Sequence, residues 1–331
     1  MKRARAICLC VTSLGLSACS GPQNALDAAG FEAAEVLRLF WGMLAGAVAI
    51  WVFVVAISYY ASRGKSQQHS EKAGLRLIIW GGCVFPTLVL AALLVWGLAM
   101  MPQLRGPANG PTIAVSGERF WWRIAYDVEG EPGVVRNLPT GGIPSANELW
   151  IPVNRRTEVL LGSPDVIHSF WVPSLAGKMD AIPGRVNRLI LEPTELGVFN
   201  GACAEFCGTA HAQMGLRVVV VSEQRFAEYV RRQAEPARRT NALGFKLFRQ
   251  SGCGACHTIR GTQADADVGP DLTHLASRRT LAAGLLPMTK DNIAAFIGSP
   301  DHLKPGVEMP SFDVLPTGQI DEIAKWLGSL E

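Results

Sequence analysis

Charge is scarce in this sequence. Asp, Glu, Lys and Arg make up 18% of the 331 residues, and the formal net charge is only +3. Because the basic residues are scattered, we expect no nucleic-acid partner. Hydrophobic residues reach 49%, which is more than one soluble core requires, so part of the chain is expected in membrane lipid.

Eight cysteines would suggest disulfides in an oxidising compartment, but their positions leave none for a disulfide framework. Of the eight cysteines, Cys8 and Cys10 fall in an N-terminal segment with export character, and Cys83 falls in an apolar run. Four others belong to two short motifs, described below. No independent disulfide network is therefore expected. The sequence also lacks internal repeats and long low-complexity segments.

Residues 1–18 have the pattern of a signal peptide, with a basic start, an apolar stretch over residues 7–16 and small residues before Cys19. The string Leu16-Ser17-Ala18-Cys19 resembles the lipobox of bacterial lipoproteins, in which the cysteine becomes the lipidated first residue. We predict lipidation at Cys19. The alternative is an ordinary signal peptide with a chance cysteine.

Two long runs lack charge altogether. Residues 39–60 carry no charged residue over 22 positions and residues 77–101 none over 25, and each run can cross a hydrocarbon core of about 30 Å as a helix. The loop at 61–76 carries four basic residues and one acid. The positive-inside rule places this loop in the cytoplasm. Residues 19–38 and everything after the second span then lie on the periplasmic side of a bacterial inner membrane.

Three further segments differ in pattern. Residues 102–222 combine Gly, Pro and short β-rich runs, which predicts an antiparallel sandwich or small barrel. Residues 223–240 predict a helix and linker, and residues 241–331 predict an all-α domain. The predicted strands are residues 112–116, 120–126, 148–153, 157–162, 186–192 and 216–222, and the predicted helices are residues 223–234, 243–250, 289–297 and 317–327.

The string Cys203-Ala-Glu-Phe-Cys207-Gly-Thr-Ala-His211-Ala-Gln-Met214 gathers four soft or borderline metal donors within twelve residues. A closed zinc site would prefer four Cys or His ligands, and a mononuclear blue-copper site needs only one cysteine. Two thiolates that bridge two copper ions account for the second cysteine. A disulfide between the cysteines would leave His211 and Met214 without a reason to follow so closely.

A binuclear copper site needs one more histidine, and the chain has six. His168 is the best candidate because it lies in an apolar and aromatic run, where an unpaired imidazole would be costly. The alternative is a histidine satisfied within the core.

The string Cys253-Gly-Ala-Cys256-His257 is the attachment signature of a c-type haem. Two thioether links hold the porphyrin, and His257 is the proximal iron ligand. A thioredoxin-like redox pair is the alternative, but no βαβ pattern surrounds the motif. The second axial ligand is predicted at Met309, which lies before Pro310 ahead of the last helix; competing candidates are Met288, His274 and His302.

From residue 39 to residue 222 the chain resembles subunit II of the haem-copper cytochrome c oxidases. The two spans, the string His168-Ser-Phe-Trp-Val-Pro, the segment Lys178-Met-Asp-Ala-Ile-Pro-Gly-Arg and the copper motif occur in the family's order. The resemblance implies a cupredoxin fold with a binuclear CuA centre. It places His168 and Met214 on one copper, His211 and the main-chain carbonyl of Glu205 on the other, and Cys203 and Cys207 between them.

The resemblance implies two further roles. In this family the Glu205 carboxylate also binds a magnesium or manganese ion at the boundary with subunit I; a solvated acid is the alternative. The family's Trp-Tyr-Trp run accepts electrons from soluble cytochrome c through its first tryptophan. Here Phe120 takes that position, followed by Trp121, which could substitute for it, and Trp122. Strand packing is the alternative role of these aromatics.

Residues 241–331 resemble class I cytochromes c in the haem motif, in Gly269-Pro-Asp-Leu272 and in the Met-Pro loop. The whole chain therefore resembles subunit II of caa-type oxidases. This implies transfer from a donor such as a cytochrome c or bc complex to haem c, to CuA, and to subunit I, whose haem and CuB reduce dioxygen with proton pumping. Subunit III is a further expected partner. The alternatives are an electron-accepting subunit of a nitrogen-oxide reductase and a non-enzymatic copper or haem carrier.

Overall fold

The computed structural model describes residues 21, 23–63, 70–104, 106–128, 138, 141–238 and 242–331. The predicted signal peptide and Cys19 lie outside the described residues. Two compact units result: one is Ala34–Pro107, and the other joins the residues up to Ala33 with Ala108–Glu331.

The first unit holds two apolar helical stretches, Phe31–Arg63 and Glu71–Pro102, each long and apolar enough to cross a membrane. Helix α1 is Phe31–Arg63, and the second stretch consists of α2 (Glu71–Leu77), a π-helical turn (Ile78–Val84) and α3 (Phe85–Leu104). Pro86 explains the wide turn, because proline lacks an N–H donor and its ring crowds the carbonyl four residues earlier. Both helices extend past the predicted spans.

The second unit begins with a β-sandwich of two five-stranded sheets, ordered β3-β2-β1-β5-β8 and β4-β10-β9-β6-β7. Strand β1 pairs with β5, and β10 with β4, in parallel, so the expectation of a purely antiparallel sandwich was wrong. The strands are β1 (Thr112–Glu118), β2 (Trp121–Tyr126), β3 (Ile143–Ala146), β4 (Glu148–Pro152), β5 (Thr157–Gly162), β6 (His168–Trp171), β7 (Met179–Ala181), β8 (Asn187–Leu191), β9 (Gly197–Cys203) and β10 (Gly215–Val221).

The sandwich core follows from alternation along the strands. In β2 the side chains of Trp122, Ile124 and Tyr126 are buried while their neighbours are only half-buried. Each such apolar side chain stabilises the fold by about 1.5–3 kcal/mol on burial. The Trp122 ring meets Phe170 of the facing sheet edge to face, with centroids 5.7 Å apart. Strand β6, which begins with the predicted copper ligand His168, is thus fixed in the core.

The C-terminal part of this unit is helical. Helix α4 (Glu223–Ala234) leads to α5 (Ala242–Gln250), α6 (Lys290–Gly298), α7 (Pro300–Leu303) and α8 (Thr317–Leu327), with two short ladders, Thr258–Ile259 with Ala264–Asp265 and Thr280–Leu281 with Leu286–Pro287. Helices α5 and α8 cross where Gly244 lies against the buried Trp326. A larger side chain at Gly244 would force the helices apart, so glycine permits the close crossing.

The helical domain is docked on the sandwich by hydrogen bonds. The N–H of Arg279 donates to Glu148 Oε2 at 2.9 Å, and the N–H of Gly215 donates to the Ala283 carbonyl at 2.9 Å. The Arg123 guanidinium donates to the Asp267 carbonyl at 2.6 Å. Glu148 is only 3% exposed, so part of this interface is shielded from water.

Candidate metal centres

Strand pairing brings the predicted copper ligands together. Strand β6 begins at His168, and its register with β9 pairs Phe170 with Cys203 at the end of β9. The N–H of Cys203 donates to the Met214 carbonyl at 2.9 Å, which closes the loop between β9 and β10. The loop residues between these two ends include Cys207 and His211.

The donor atoms form one cluster. The two sulfurs of Cys203 and Cys207 lie 3.9 Å apart, too far for a disulfide of about 2.05 Å. His168 Nδ1 lies 3.8 Å from Cys203 Sγ, and His211 Nδ1 lies 3.6 Å from Cys207 Sγ. Met214 Sδ lies 3.8 Å from Cys207 Sγ, and the Glu205 carbonyl 3.2 Å from Cys203 Sγ. All six predicted donors therefore converge.

Two residues that the sequence reasoning missed orient His168. The Asp165 carboxylate accepts a hydrogen bond from His168 Nε2 at 2.8 Å, which leaves Nδ1 free to face the sulfurs. Gly117 in β1 makes room for the ring, because a Cβ there would lie 2.7 Å from His168 Cγ. The one available signal was the position of Asp165 three residues before His168.

Burial keeps both the His168 imidazole and the Cys207 thiol in their neutral forms. Burial, together with the adjacent Cys203 thiol, raises the pKa of Cys207 to about 12. Burial also lowers the pKa of His168, against the opposing hydrogen bond to Asp165. The imidazole is thus ready to ligate, whereas metal binding must displace the thiol protons. Two soft sulfurs, a thioether and two imidazoles fit copper.

The loop also presents two exposed side chains. Phe206 is 77% exposed, and its ring lies 5.6 Å from that of His211. The Glu205 carboxylate is about half exposed and lies 3.6 Å from Lys178 Nζ. Both side chains point away from the buried sulfurs while their backbone belongs to the copper loop.

A cavity of about 230 Å³, lined mostly by the helical domain and partly by the turn between β1 and β2, carries the predicted haem-binding residues on its wall. Cys253, Cys256 and His257 line it together with Met309. The cavity walls are mostly apolar, which suits a porphyrin. Both thiols and both predicted axial ligands thus face one space.

The loop after the haem motif orients His257. His257 Nδ1 donates to the Pro270 carbonyl at 2.8 Å, so Nε2 is the nitrogen free for iron. A Cβ at Gly269 would lie 2.6 Å from His257 Cε1, so glycine is needed for the ring to fit. Burial lowers the pKa of His257, which favours the neutral ligand form. The residues therefore fit a covalent haem.

The competing axial ligands are placed elsewhere. Met288 packs against the domain core but does not line the cavity. His274 is buried and contacts the Glu235 carbonyl through Nε2 at 3.0 Å, and His302 is exposed on α7. The geometry therefore favours Met309.

The three aromatics at the start of β2 differ in environment. Trp122 is fully buried, 6.1 Å from the His168 ring by centroids. Phe120 is 4% exposed and lines the haem cavity, as does Trp121. The Phe120 ring also packs against Gly208, where a Cβ would lie 3.1 Å from it, and Gly208 has a φ of +131°.

Comparisons with known proteins agree with this arrangement. Residues 134–222 match the family described as cytochrome C oxidase subunit II, periplasmic domain, and residues 241–331 match the cytochrome c family. Cytochrome c oxidase subunit 2 of Alkalihalophilus pseudofirmus is 29% identical over 99% of this chain and 97% of its own. That of Metridium senile is 32% identical over 55% of this chain and 75% of its own.

A solved structure is also similar. The periplasmic domain of subunit II of cytochrome oxidase from Bradyrhizobium japonicum is 31% identical, covering 39% of this chain and 95% of that chain with a TM-score of 0.32. The predicted combination of a two-helix membrane segment, a cupredoxin sandwich and a helical cytochrome domain is confirmed. Haem c, CuA, an electron-accepting role and a subunit I partner follow from the family matches. The chain belongs to the cytochrome c oxidase subunit II family and carries a fused cytochrome c domain at its C-terminus.

Proposed function

We propose that electrons reach this subunit at its cytochrome domain, cross to the copper domain within the same chain, and leave toward the subunit that reduces dioxygen. The observation that carries this order is the position of Phe120. Phe120 lines the haem cavity, and its ring packs on Gly208, the residue after Cys207. One aromatic residue therefore lies against both the haem cavity and the copper loop.

The burial of Phe120 also argues against direct reduction of the copper domain by a soluble donor. Phe120 is 4% exposed because it belongs to the sandwich core and its ring packs between Gly208 of the copper loop and Gly306 of the cytochrome domain. An external donor such as a cytochrome c or bc complex would instead approach the cytochrome domain. Trp121, beside the cavity and 4.7 Å beneath the Arg123 guanidinium, is a second aromatic on the same route.

The proposed ligands would hold a copper pair in the sandwich and a covalent haem in the cytochrome domain. When bound, a copper pair and a covalent haem each exchange single electrons. Asp165 holds the His168 tautomer, and the Pro270 carbonyl holds that of His257. Cys203, Glu205, Cys207, His211 and Met214 complete the copper set, and Cys253, Cys256 and Met309 complete the haem set.

The exposed loop around Phe206 is the proposed exit face toward subunit I. Phe206 is 77% exposed and lies beside the proposed ligand His211. An exposed apolar ring at this position is typical of a surface that another subunit covers. The half-exposed Glu205 carboxylate is placed to share a magnesium or manganese ion there. Lys178, which now pairs with Glu205, would have to turn aside.

The membrane arrangement follows from sequence. Residues 1–18 direct export, Cys19 is the lipidation candidate, and the basic loop at 61–76 keeps the hairpin's turn in the cytoplasm. Both metal domains then lie on the periplasmic side of a bacterial inner membrane. Proton pumping and a subunit III would belong to the assembled oxidase.

The test is oxygen uptake by the purified membrane complex with an external cytochrome c as the donor. Replacing both haem-attaching residues (Cys253→Ala with Cys256→Ala) should abolish uptake while the copper electron paramagnetic resonance signal persists. Uptake at the unaltered rate would mean that donors reduce the copper domain directly, and the proposed order would be wrong.

A further inference from the structure

Lys304 is a buried cation at the boundary between the two metal-binding domains. It lies in the cytochrome domain and is 2% exposed. Its Nζ donates to the Phe120 carbonyl in the copper domain at 2.6 Å and to the Ala282 carbonyl in its own domain at 2.9 Å. Within the described part of the chain, no carboxylate forms an ion pair with it. Its hydrogen-bond partners are therefore two neutral carbonyls from opposite sides of the interface, and its charge also interacts with the Cys207 thiol.

Such a lysine is costly if it serves packing alone. Lysine is almost never fully buried without a charged partner, and an apolar side chain would fill the space more cheaply. Burial lowers the pKa of Lys304 to about 7. Both the ammonium and the neutral amine carry enough N–H donors for two carbonyls, so the contact does not depend on protonation. The contribution of Lys304 is therefore its pair of hydrogen bonds to the Phe120 and Ala282 carbonyls.

The position of the contact gives it a specific consequence. Lys304 opens the loop that leads to Met309, and Gly306 in this loop packs against the copper domain. A Cβ at Gly306 would lie 3.3 Å from Thr209 and 3.6 Å from the Phe120 ring. Lys304 therefore fixes the backbone of the residue whose ring spans the space between the haem cavity and the copper loop.

We propose that Lys304 is a positioning residue for electron transfer within the chain, because its side chain locks the cytochrome domain onto the turn between β1 and β2. This inference rests on the proposed order of transfer. The Arg123 contact to Asp267 belongs to the same interface, but it is made by a half-buried guanidinium that also pairs with Glu118. Lys304 alone among these side chains donates to the Phe120 turn.

The experiment uses the full chain in its purified complex, loaded with both metal centres. The haem is reduced by a light flash. The measured quantity is the rate at which one electron then passes from the haem to the copper centre in a single turnover. Lys304→Met keeps the length of the side chain and removes its donors. We expect the rate to fall by about tenfold or more, because two buried carbonyls lose their partner. Haem potential, haem spectrum and copper resonance signal should stay unchanged.

The control is Lys325→Met, since Lys325 is an exposed lysine of the same domain that pairs with Glu322 on its own helix. Its rate should equal that of the parent.

Lys304→Gln keeps an N–H donor on a shorter side chain and should recover part of the transfer rate. If Lys304→Met loses the haem or the copper, the same rate measurement is made on Lys304→Gln instead. An unchanged rate in both Lys304 variants overturns the proposal. A slower rate together with a shifted haem potential also overturns it, because the lysine would then only shape the haem pocket. Absence of haem-to-copper transfer in the parent protein would instead refute the proposed order of transfer.

Discussion

At the scale of single residues, the proposed copper site requires two cysteine sulfurs that do not form a disulfide with each other. The Cys203 and Cys207 sulfurs are 3.9 Å apart and have imidazole, thioether and carbonyl donors around them. Replacing Cys207 with serine removes one of the two proposed bridges. We expect Cys207→Ser to abolish the delocalised binuclear copper signal in electron paramagnetic resonance.

The haem provides the internal control for this variant. Cys253, Cys256 and His257 line a separate cavity, so the haem absorption spectrum should be unchanged in Cys207→Ser. Simultaneous loss of both signals would contradict two independently loaded sites. Retention of the binuclear signal would remove Cys207 from the ligand set.

Asp165 offers a second prediction at this scale. Its carboxylate fixes the His168 tautomer through the 2.8 Å hydrogen bond to Nε2. Loss of such an outer partner typically weakens metal binding about 10–100-fold. We expect that loss of copper affinity for Asp165→Ala, measured by competition with a chelator. Asp291→Ala, an exposed acid of the cytochrome domain, should bind copper as tightly as the parent. Equal affinity in both variants would show that Asp165 does not orient the ligand.

At the scale of elements, long and strongly patterned segments could be predicted from the sequence. The predicted strand at 157–162 and the predicted helices at 223–234 and 317–327 have the same bounds in the structure. Strands β3, β6, β7 and β9 were missed. Strands β3, β6 and β7 have only three or four residues, and β9 contains two glycines, which lower strand propensity. Their pairing depends on distant partners rather than on local pattern.

The same distinction applies to the metal sites. The ligand loop from Cys203 to Met214 and the haem motif could be recognised because their donors are close in sequence. Gly117 could not, because its role appears only when β1 comes close to His168 in the folded chain, whereas Asp165 is only three residues from His168 and was missed although that signal was present. Lys304 was likewise invisible, since its acceptor Phe120 is 184 residues away.

The loop from Lys304 to Met309 carries a prediction about the haem. Met309 lines the same cavity as His257, whereas Met288 packs outside it. A methionine and histidine pair raises the haem potential. We expect Met309→Ala to lower the midpoint potential in a redox titration and Met288→Ala to leave it unchanged. An unchanged potential for Met309→Ala, or a lowered one for Met288→Ala, would move the axial ligand elsewhere.

At the scale of the whole molecule, the sequence predicted a helix and linker at residues 223–240 ahead of the cytochrome domain, and the structure adds that this domain is docked on the sandwich. A flexible tether would give an effective concentration of about millimolar and repeated encounters. The buried contacts of Glu148 and Lys304 replace those encounters with one fixed arrangement. Transfer between the domains then needs no diffusional search.

Electron transfer within the docked chain and electron transfer from an external donor should therefore respond differently to salt. Exposed charges are screened at high ionic strength, and the Debye length shortens to about 3 Å at 1 M, whereas buried contacts are screened much less. Glu148 and Lys304 are 3% and 2% exposed. We therefore expect haem-to-copper transfer within the chain to keep its rate as salt rises. Reduction of the haem by an external charged donor should respond to salt, since electrostatic steering of encounters is screened. Stopped-flow and flash measurements on the same complex would separate the two steps. An internal rate that changes with salt as much as the external one would mean that the cytochrome domain docks and undocks at its surface charges during turnover.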